Sequence, residues 1–189
     1  MTQYAWYFDQ GLCMQCRACM VACKDWNHVA LGPAKWRRIT SREEGTYPLV
    51  QVYNLSLGCN HCDEPACMAA CPVGNIIKEE KYGLVLPLDK CISCKQCKSA
   101  CPYDVPQFAT MDPNELPIME KCTGCIDRLE KGEKPACVVS CPQRALDFGP
   151  EEEIVAKYGN VRQVKGGFAD PNLTKPNIVF SPRIYVGGV

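Results

Sequence analysis

The chain has 189 residues with 21 basic and 21 acidic side chains, and this formal net charge of zero gives no indication of a nucleic-acid-binding surface. No apolar stretch approaches the length of a membrane span, so the sequence predicts that the chain itself does not cross a bilayer. Aromatic residues make up only 8%, while 16 Cys, 15 Pro and 14 Gly indicate a loop-rich chain whose small core needs additional cross-links.

Disulfides are one kind of cross-link that the cysteines could supply. Residues 1–9 lack the basic and apolar regions of a secretory signal peptide, so we expect no export through a signal of the chain's own. The cysteines also recur in triplets at two-residue gaps, for which a disulfide framework gives no reason. A bound metal or cluster therefore accounts for the cysteines better than disulfides do.

The cysteines form four groups in chain order: Cys13, Cys16, Cys19 and Cys23 (group one); Cys59, Cys62, Cys67 and Cys71 (group two); Cys91, Cys94, Cys97 and Cys101 (group three); Cys122, Cys125, Cys137 and Cys141 (group four). The first third of the chain contains two predicted strands and group one. Residues 4–9 are rich in aromatic side chains and predict a short strand. In group one the last two cysteines, Cys19 and Cys23, are four residues apart, so we expect them on one face of a helical turn. Residues 30–48 are interpreted as a connecting region with a charged patch. Residues 49–57 predict a strand because apolar and polar side chains alternate.

The middle of the chain consists of two cysteine groups around a predicted hairpin. Residues 76–86 contain two short apolar runs on either side of a polar turn with Gly83, which is typical of a β-hairpin. Group two precedes this hairpin, group three follows it, and both groups end in Cys-Pro. A cysteine group, a hairpin and a second cysteine group are the order found in a two-cluster ferredoxin. Residues 58–103 therefore predict one compact module.

The last part of the chain begins with group four, whose second gap is stretched to eleven residues. Residues 125–131 predict a helical turn and residues 145–148 a closing strand. Residues 151–158 predict a short helix, because a proline precedes an acidic first turn and a glycine follows the last residue. The final thirty residues show weak periodicity, and we expect them to drape over the module or over a partner.

The spacing in group three identifies the chemistry. Cys91, Cys94 and Cys97 are separated by two residues each, Cys101 follows after three more, and Pro102 comes next. This run holds iron–sulfur clusters in bacterial ferredoxins, where the fourth cysteine binds the other cluster of a pair. Zinc is the alternative, but zinc sites are built from separated CxxC pairs and do not require the third cysteine.

Four groups of four cysteines form an internal repeat whose unit is half of a two-cluster ferredoxin. The hairpin pairs group two with group three, which leaves groups one and four to pair with each other across the inserted residues 58–103.

The sequence thus predicts an α+β fold of two nested bacterial-ferredoxin-like modules, loop-rich, with short hairpins and short helices. Residues 1–57 with 104–150 form the outer module, residues 58–103 the inner module, and residues 151–189 a C-terminal docking tail. Exchange of the fourth cysteine predicts four ligand sets: Cys59, Cys62, Cys67 and Cys101 (site a); Cys91, Cys94, Cys97 and Cys71 (site b); Cys13, Cys16, Cys19 and Cys141 (site c); Cys122, Cys125, Cys137 and Cys23 (site d).

The complete pattern resembles the iron–sulfur subunits of complex molybdenum and tungsten oxidoreductases, and most closely that of anaerobic dimethyl sulfoxide reductase. The resemblance rests on residues 59–67, 101–107 and 137–150, with a narrower likeness at 174–179. Subunits linked to polysulfide, tetrathionate and nitrite share the cysteine plan, so the plan does not identify a substrate. Respiratory nitrate reductases have a tryptophan in place of one group-three cysteine. All four are present here, which implies four clusters of the 4Fe-4S type.

The resemblance implies a non-catalytic electron-transfer subunit with four 4Fe-4S clusters and no catalytic residue of its own. Its partners would be a membrane subunit that oxidises quinol and a large catalytic subunit that holds molybdopterin guanine dinucleotide. The implied location is the periphery of a prokaryotic cytoplasmic membrane, on the periplasmic face through co-export with the catalytic subunit rather than on the cytoplasmic face. Three alternatives stay open: the same wire in a reverse-direction dehydrogenase of the formate or hydroxylating type, a freestanding polyferredoxin, and a zinc-stabilised scaffold.

Some side chains near the cysteines receive other roles. His61 lies between two ligands, and we expect it to tune a cluster or to bond the backbone. We expect Asp127 and Arg128 to form a structural pair near group four. The three tryptophans are expected to pack, and the lysines beside cysteines either offset the negative charge of the clusters or are solvated: Trp6, Trp26 and Trp36; Lys24, Lys90, Lys95, Lys98 and Lys121.

Overall fold

The computed structural model describes residues 2–110, 112 and 114–185. Its elements are short and mixed in type, as the predicted α+β class requires. The strands are β1 (Tyr4–Asp9), β2 (Arg38–Glu44), β3 (Gln51–Leu57), β4 (Ile76–Lys78), β5 (Val85–Pro87), β6 (Gln107–Ala109), β7 (Ile118–Glu120), β8 (Leu146–Pro150) and β9 (Ile178–Ser181). The helices are α1 (Ala18–Trp26), α2 (Ala66–Ala69), α3 (Gln96–Ala100), α4 (Ile126–Leu129), α5 (Ala136–Val139) and α6 (Glu151–Tyr158), with a 3-10 turn at Pro171–Leu173.

A three-stranded sheet joins the two ends of the chain. Strand β1 is its centre, antiparallel to β8 and parallel to β9. Both faces of β1 are covered: Ala5 and Tyr7 pack with Ile154 of α6, while Trp6 and Phe8 belong to the main core. This double coverage explains why the predicted strand at residues 4–9 has few polar side chains.

The C-terminal segment is built into this sheet. Strand β9 pairs with β1 from Trp6–Ile178 to Asp9–Ser181, and Phe180 is 1% exposed. The predicted helix at 151–158 is confirmed with those bounds. Pro150 precedes its acidic first turn, and Gly159 ends it with a φ of 84° that a residue with a Cβ atom adopts only at a cost.

A long hairpin replaces part of the predicted connecting region. Arg38–Glu44 is a strand, β2, and it pairs along its whole length with β3 in the antiparallel sense. Strand β2 was not predicted, because its side chains are mostly charged or polar. An exposed strand tolerates charge that a buried strand does not. The strand predicted at 49–57 is confirmed as β3.

Two hairpins, each made of three-residue strands, lie between the later cysteine groups. Strands β4 and β5 confirm the predicted hairpin at 76–86, with Ile76 opposite Pro87. Strands β6 and β7 form the same kind of pair between groups three and four, with Gln107 opposite Glu120. Strands β6 and β7 were not predicted, because residues 107–120 contain no glycine turn between two apolar runs of the kind that marks residues 76–86.

Candidate iron–sulfur sites

The structure brings the sixteen cysteines together in four sets. Three of the sets line separate cavities: Cys59, Cys62, Cys67 and Cys101; Cys71, Cys91, Cys94 and Cys97; Cys13, Cys16, Cys19 and Cys141. In the fourth set, burial and repulsion from Cys122, Cys137 and Cys125 raise the pKa of the Cys23 thiol. The side-chain nitrogen of Asn27 lies 3.8 Å from the Cys23 sulfur and 3.9 Å from that of Cys125. These groupings coincide with the sets predicted for sites a, b, c and d, while ligation itself stays a prediction.

The separation of the cysteines fits a cluster better than a single ion. Each of the cavities of sites a, b and c is lined by four cysteines together with apolar side chains. Within the described residues, no group of three or more His, Cys, Asp or Glu side chains is arranged to hold a metal ion. A tetrahedral zinc site draws its sulfurs close to one point, whereas a cubane keeps them apart around a cage.

One backbone feature recurs in all four cysteine groups. The residue just before the second cysteine has a positive φ in each: Gln15 (60°), His61 (46°), Ser93 (58°) and Gly124 (69°). In groups three and four this turn directs an N–H at the first cysteine, since Ser93 and Gly124 donate to the Cys91 and Cys122 sulfurs at 3.4 Å each. Backbone N–H groups gathered in this way favour a negative sulfur.

A second feature follows the fourth cysteine of each Cys-Pro group. The third residue after that cysteine again has a positive φ, and it is Gly74, Asp104 or Arg144. In groups two and four the next N–H then donates to the cysteine sulfur: Asn75 to Cys71 at 3.2 Å and Ala145 to Cys141 at 3.3 Å.

Group one departs from this pattern. Its last cysteine, Cys23, is followed by Lys24 in place of proline, so helix α1 continues through it to Trp26. The side chain of Asn27 takes the place of the missing backbone turn, since it donates to the Cys23 carbonyl at 2.8 Å and faces the sulfur. The helical turn predicted for Cys19 and Cys23 is confirmed.

Ionisation of the clustered thiols requires positive charge inside the sites. Burial and repulsion from Cys59, Cys101 and Cys97 outweigh attraction by Lys121 and raise the pKa of Cys67 to about 12. Burial also raises the pKa of Cys137 to about 12, although Arg37 opposes that shift. Four neighbouring thiols cannot all ionise without cations among them, and an iron core supplies that charge.

Two buried cations lie beside the sites in the described part of the chain. Arg37 is 3% exposed, donates to the Ser56 hydroxyl at 3.3 Å and stacks on Trp6 with its guanidinium carbon 4.3 Å from the ring centre. Burial alone would lower its pKa, but Cys137 and Cys122 raise it. Lys121 has no exposed surface, and its Nζ lies 3.3 Å from the Cys59 sulfur. The sequence pointed to Lys121 through its neighbour Cys122, whereas nothing in the pattern singled out Arg37.

His61 lies in the group-two loop and is fully buried. Its Nδ1 accepts a hydrogen bond from the Val85 N–H at 3.0 Å, which is one of the two roles that we expected for this residue. The ring proton therefore belongs on Nε2. Burial raises the pKa of Cys59, but His61 and Lys121 reverse that shift and bring it to about 5.

The predicted pair of Asp127 and Arg128 is wrong. Arg128 forms its ion pair with Glu133 at 3.0 Å, and Asp127 accepts a hydrogen bond from the Trp26 indole at 2.9 Å. Both residues meet at Trp26, because the Arg128 guanidinium lies 4.4 Å from the centre of that ring. Adjacent residues on a helix point in different directions, which prevents the direct pair.

The remaining tryptophans pack as expected and also form hydrogen bonds. The indole of Trp6 donates to the Cys59 carbonyl at 2.9 Å, and that of Trp36 to Glu120 at 3.2 Å. Trp6 thereby fixes the start of the group-two loop against the central sheet.

Cysteines of neighbouring sets influence one another electrostatically. Cys19 of site c contributes to the raised pKa of Cys137 in site d, after burial and closer thiols. Burial raises the pKa of Cys122 in site d, but the nearby His61 and Arg37 lower it overall, and Cys59 of site a opposes that lowering. Cys97 of site b likewise contributes to the raised pKa of Cys67 in site a, after burial and the closer Cys59.

No helix among the described residues is both long enough and apolar enough to cross a membrane.

Comparison with known proteins agrees with this geometry. Two models of a 4Fe-4S dicluster domain match the chain, one over residues 50–151 and one over residues 12–75. The fold and the sites thus define a ferredoxin-like protein with two dicluster domains and four 4Fe-4S clusters.

Relatives narrow this class further. The sequence is 42% identical over 191 residues to YnfG, a probable anaerobic dimethyl sulfoxide reductase chain of Escherichia coli, with 96% of this chain and 90% of the relative covered. It is 40% identical over 190 residues to a chain of the anaerobic dimethyl sulfoxide reductase of the same organism, with the same coverage. A subunit of the sulfite dehydrogenase of Allochromatium vinosum is 34% identical over 189 residues, covering 89% of this chain and 77% of that one. The chain belongs to the family of electron-transfer iron–sulfur subunits of dimethyl sulfoxide reductase-type oxidoreductases.

Proposed function

We propose that this chain relays single electrons between a membrane subunit that oxidises quinol and a catalytic subunit that holds molybdopterin guanine dinucleotide. The observation that carries the proposal is the adjacency of the cysteine sets. Helix α1 carries Cys19 of site c and Cys23 of site d, Lys121 bridges Cys59 of site a and Cys122 of site d, and helix α2 of site a packs against helix α3 of site b. A row of neighbouring centres suits conduction from one end to the other.

Each set is proposed to ligate one cluster, so that all sixteen cysteines are used and no thiol is left for catalysis. Sites a and b then belong to an inner module, residues 58–103, and sites c and d to an outer module, residues 1–57 with 104–150. The exchanged fourth cysteine ties the halves of each module together. In this arrangement the chain's residues position the clusters, donate hydrogen bonds to their sulfurs and set the surrounding charge. The bound clusters supply the one-electron chemistry.

The ends of the row are the most open parts of the sites. Cys16 of site c and Cys94 of site b are exposed, whereas all four cysteines of site d are buried. Apolar side chains stand beside both ends, with Met14 61% exposed near Cys16 and Ile92 56% exposed near Cys94. We propose that electrons enter and leave at these two ends, each covered by a partner subunit in the complex.

The relatives support assembly with other subunits. One relative from Escherichia coli is a probable and the other a named chain of an anaerobic dimethyl sulfoxide reductase, each matched over 90% of its length. The partners that we propose are the large molybdopterin subunit and the membrane anchor that the family resemblance implies. We place the complex at the periphery of the cytoplasmic membrane, and on its periplasmic face if the catalytic subunit carries the chain across.

Purification of the native complex tests this function. We expect a molybdenum-containing large subunit to copurify, with about four iron atoms for each of the four sites. A redox titration followed by electron paramagnetic resonance should resolve four one-electron centres between roughly −700 and +450 mV. Isolation as a stable monomer would favour a freestanding polyferredoxin, and zinc without a reducible chromophore would contradict the ligand sets.

A second candidate is the same electron-transfer role in a dehydrogenase, with electrons flowing in the opposite direction. The match to a sulfite dehydrogenase subunit supports it, because the cysteine plan does not set direction. The test adds either quinol or sulfite to the purified complex and observes which one reduces the clusters in a single turnover. Reduction by quinol supports the reductase, and reduction by sulfite supports the dehydrogenase.

A further inference from the structure

Lys121 occupies the junction between sites a and d. Its Nζ lies 3.3 Å from the Cys59 sulfur of site a and 3.3 Å from the carbonyl of Cys122, a member of site d. It also donates to the Val85 carbonyl, so that all three ammonium hydrogens have acceptors. The side chain has no exposed surface and lines the cavity of site a.

The charge of Lys121 has no carboxylate partner in the described part of the chain. None of the ion pairs formed there includes it. A buried ammonium needs a compensating negative charge, since transfer out of water is costly for an unpaired ion. Among the described residues, the contact of Nζ that can carry a negative charge is the sulfur of Cys59, and with it the cluster that Cys59 holds.

Lys90 shows that the sequence motif alone does not create this arrangement. Lys90 precedes Cys91 just as Lys121 precedes Cys122, and both cysteines open a CxxC. Lys90 is exposed, and water and salt therefore screen its charge. The two lysines form a matched pair that differs in burial.

We propose that Lys121 is an internal positive charge that raises the reduction potentials of the two adjacent clusters, in sites a and d. This inference rests on the ligand sets proposed above. Each cluster with four thiolates carries about −2 when oxidised and gains one further negative charge on reduction. A cation in a medium of low dielectric stabilises the reduced state more than the oxidised state. The effect is larger at site a, where Nζ contacts a ligand sulfur, than at site d, where it contacts a backbone carbonyl and where Arg37 adds its own charge.

The test compares three variants of the full chain in its native complex. Lys121→Met removes the charge and keeps most of the volume, Lys121→Gln removes the charge but keeps donors, and Lys90→Met removes the matched exposed charge. Midpoint potentials come from redox titration followed by electron paramagnetic resonance.

For Lys121→Met we expect two of the four potentials to fall. The larger fall should correspond to at least a tenfold change in the ratio of reduced to oxidised cluster, which is about 59 mV for one electron. Lys121→Gln should lower the same two potentials, because the charge and not the hydrogen bond is responsible. Lys90→Met should change no ratio by more than about threefold, because its charge is screened.

Equal shifts for Lys90→Met and Lys121→Met, or unchanged potentials in Lys121→Met, would overturn the proposal. Parental potentials in Lys121→Gln would assign the effect to hydrogen bonding and also overturn it. If Lys121→Met fails to assemble, Lys121→Gln alone decides between these outcomes. Iron content and the number of centres in the parent test the ligand sets separately, so a failure there is distinguishable from a failure of Lys121.

Discussion

Asn177 offers a sharp test of how the C-terminal segment supports site a. Its side-chain amide donates to the His61 carbonyl at 2.8 Å and to the Asp63 carboxylate at 3.0 Å, and its backbone N–H donates to the Asn60 carbonyl at 3.0 Å. All three acceptors lie in the loop from Cys59 to Asp63. Asn177→Ala keeps the backbone bond and removes the two side-chain bonds.

The cost of this substitution follows from the two lost hydrogen bonds. The bond to the neutral carbonyl contributes about 1 kcal/mol and leaves a buried acceptor unpaired when lost. The bond to Asp63 is charge-assisted, but we discount it to about 1 kcal/mol because the Asp63 side chain is 48% exposed and keeps its ion pair with Lys78. Local opening of the loop should therefore become easier by about 2 kcal/mol, which is a change of about 30-fold in the open population.

The assay is the release of iron from the oxidised, cluster-loaded complex to a chelator. Release through local opening follows the open population, so about a quarter of the iron, that of site a, should leave roughly 30-fold faster than in the parent. Asn172→Ala is the control, because Asn172 lies in the same segment with an exposed side chain. Release from Asn177→Ala within about threefold of the parent, or equal acceleration of all the iron, would refute the reasoning.

Further predictions concern ligand exchange, the turn at Gly83 and the sheet. Cys101→Ser should alter the electron paramagnetic resonance signal of the cluster held by the group-two loop and leave that of group three; the reverse result contradicts the exchange. Gly83→Ala should lower the thermal midpoint more than Gly74→Ala, because both have positive φ but an added Cβ at Gly83 would meet the side-chain amide of Gln3, whereas nothing lies within 4 Å at Gly74. Equal midpoints for the two glycine variants would contradict that reasoning. Phe180→Ala should cost about 3–5 kcal/mol and lower the thermal midpoint of the whole chain, since Phe180 is buried in the central sheet; an unchanged midpoint would mean that β9 is peripheral.

Much of the fold could be predicted from short stretches of the sequence. The helix at 151–158 was predictable because Pro150, three glutamates and Gly159 define its ends within a few residues. The hairpin at 76–86 was predictable for a similar reason, as Gly83 marks its turn with a φ of 67°. The strand at 178–181 was not, because its partner β1 lies at residues 4–9, at the other end of the chain, and only that pairing makes it a strand.

By itself, the sequence determined the chemistry of this protein: four cysteine groups whose spacing suits four iron–sulfur clusters, grouped as the exchange of the fourth cysteine predicts. Cysteine spacing is informative because each loop must wrap a cluster within a few residues, whatever the rest of the chain does. Tertiary structure alone decided which charges lie inside. Lys90 and Lys121 occupy the same motif position, yet one is exposed and the other buried against Cys59. Burial depends on segments distant in sequence, and it governs how strongly a charge acts on a neighbouring cluster.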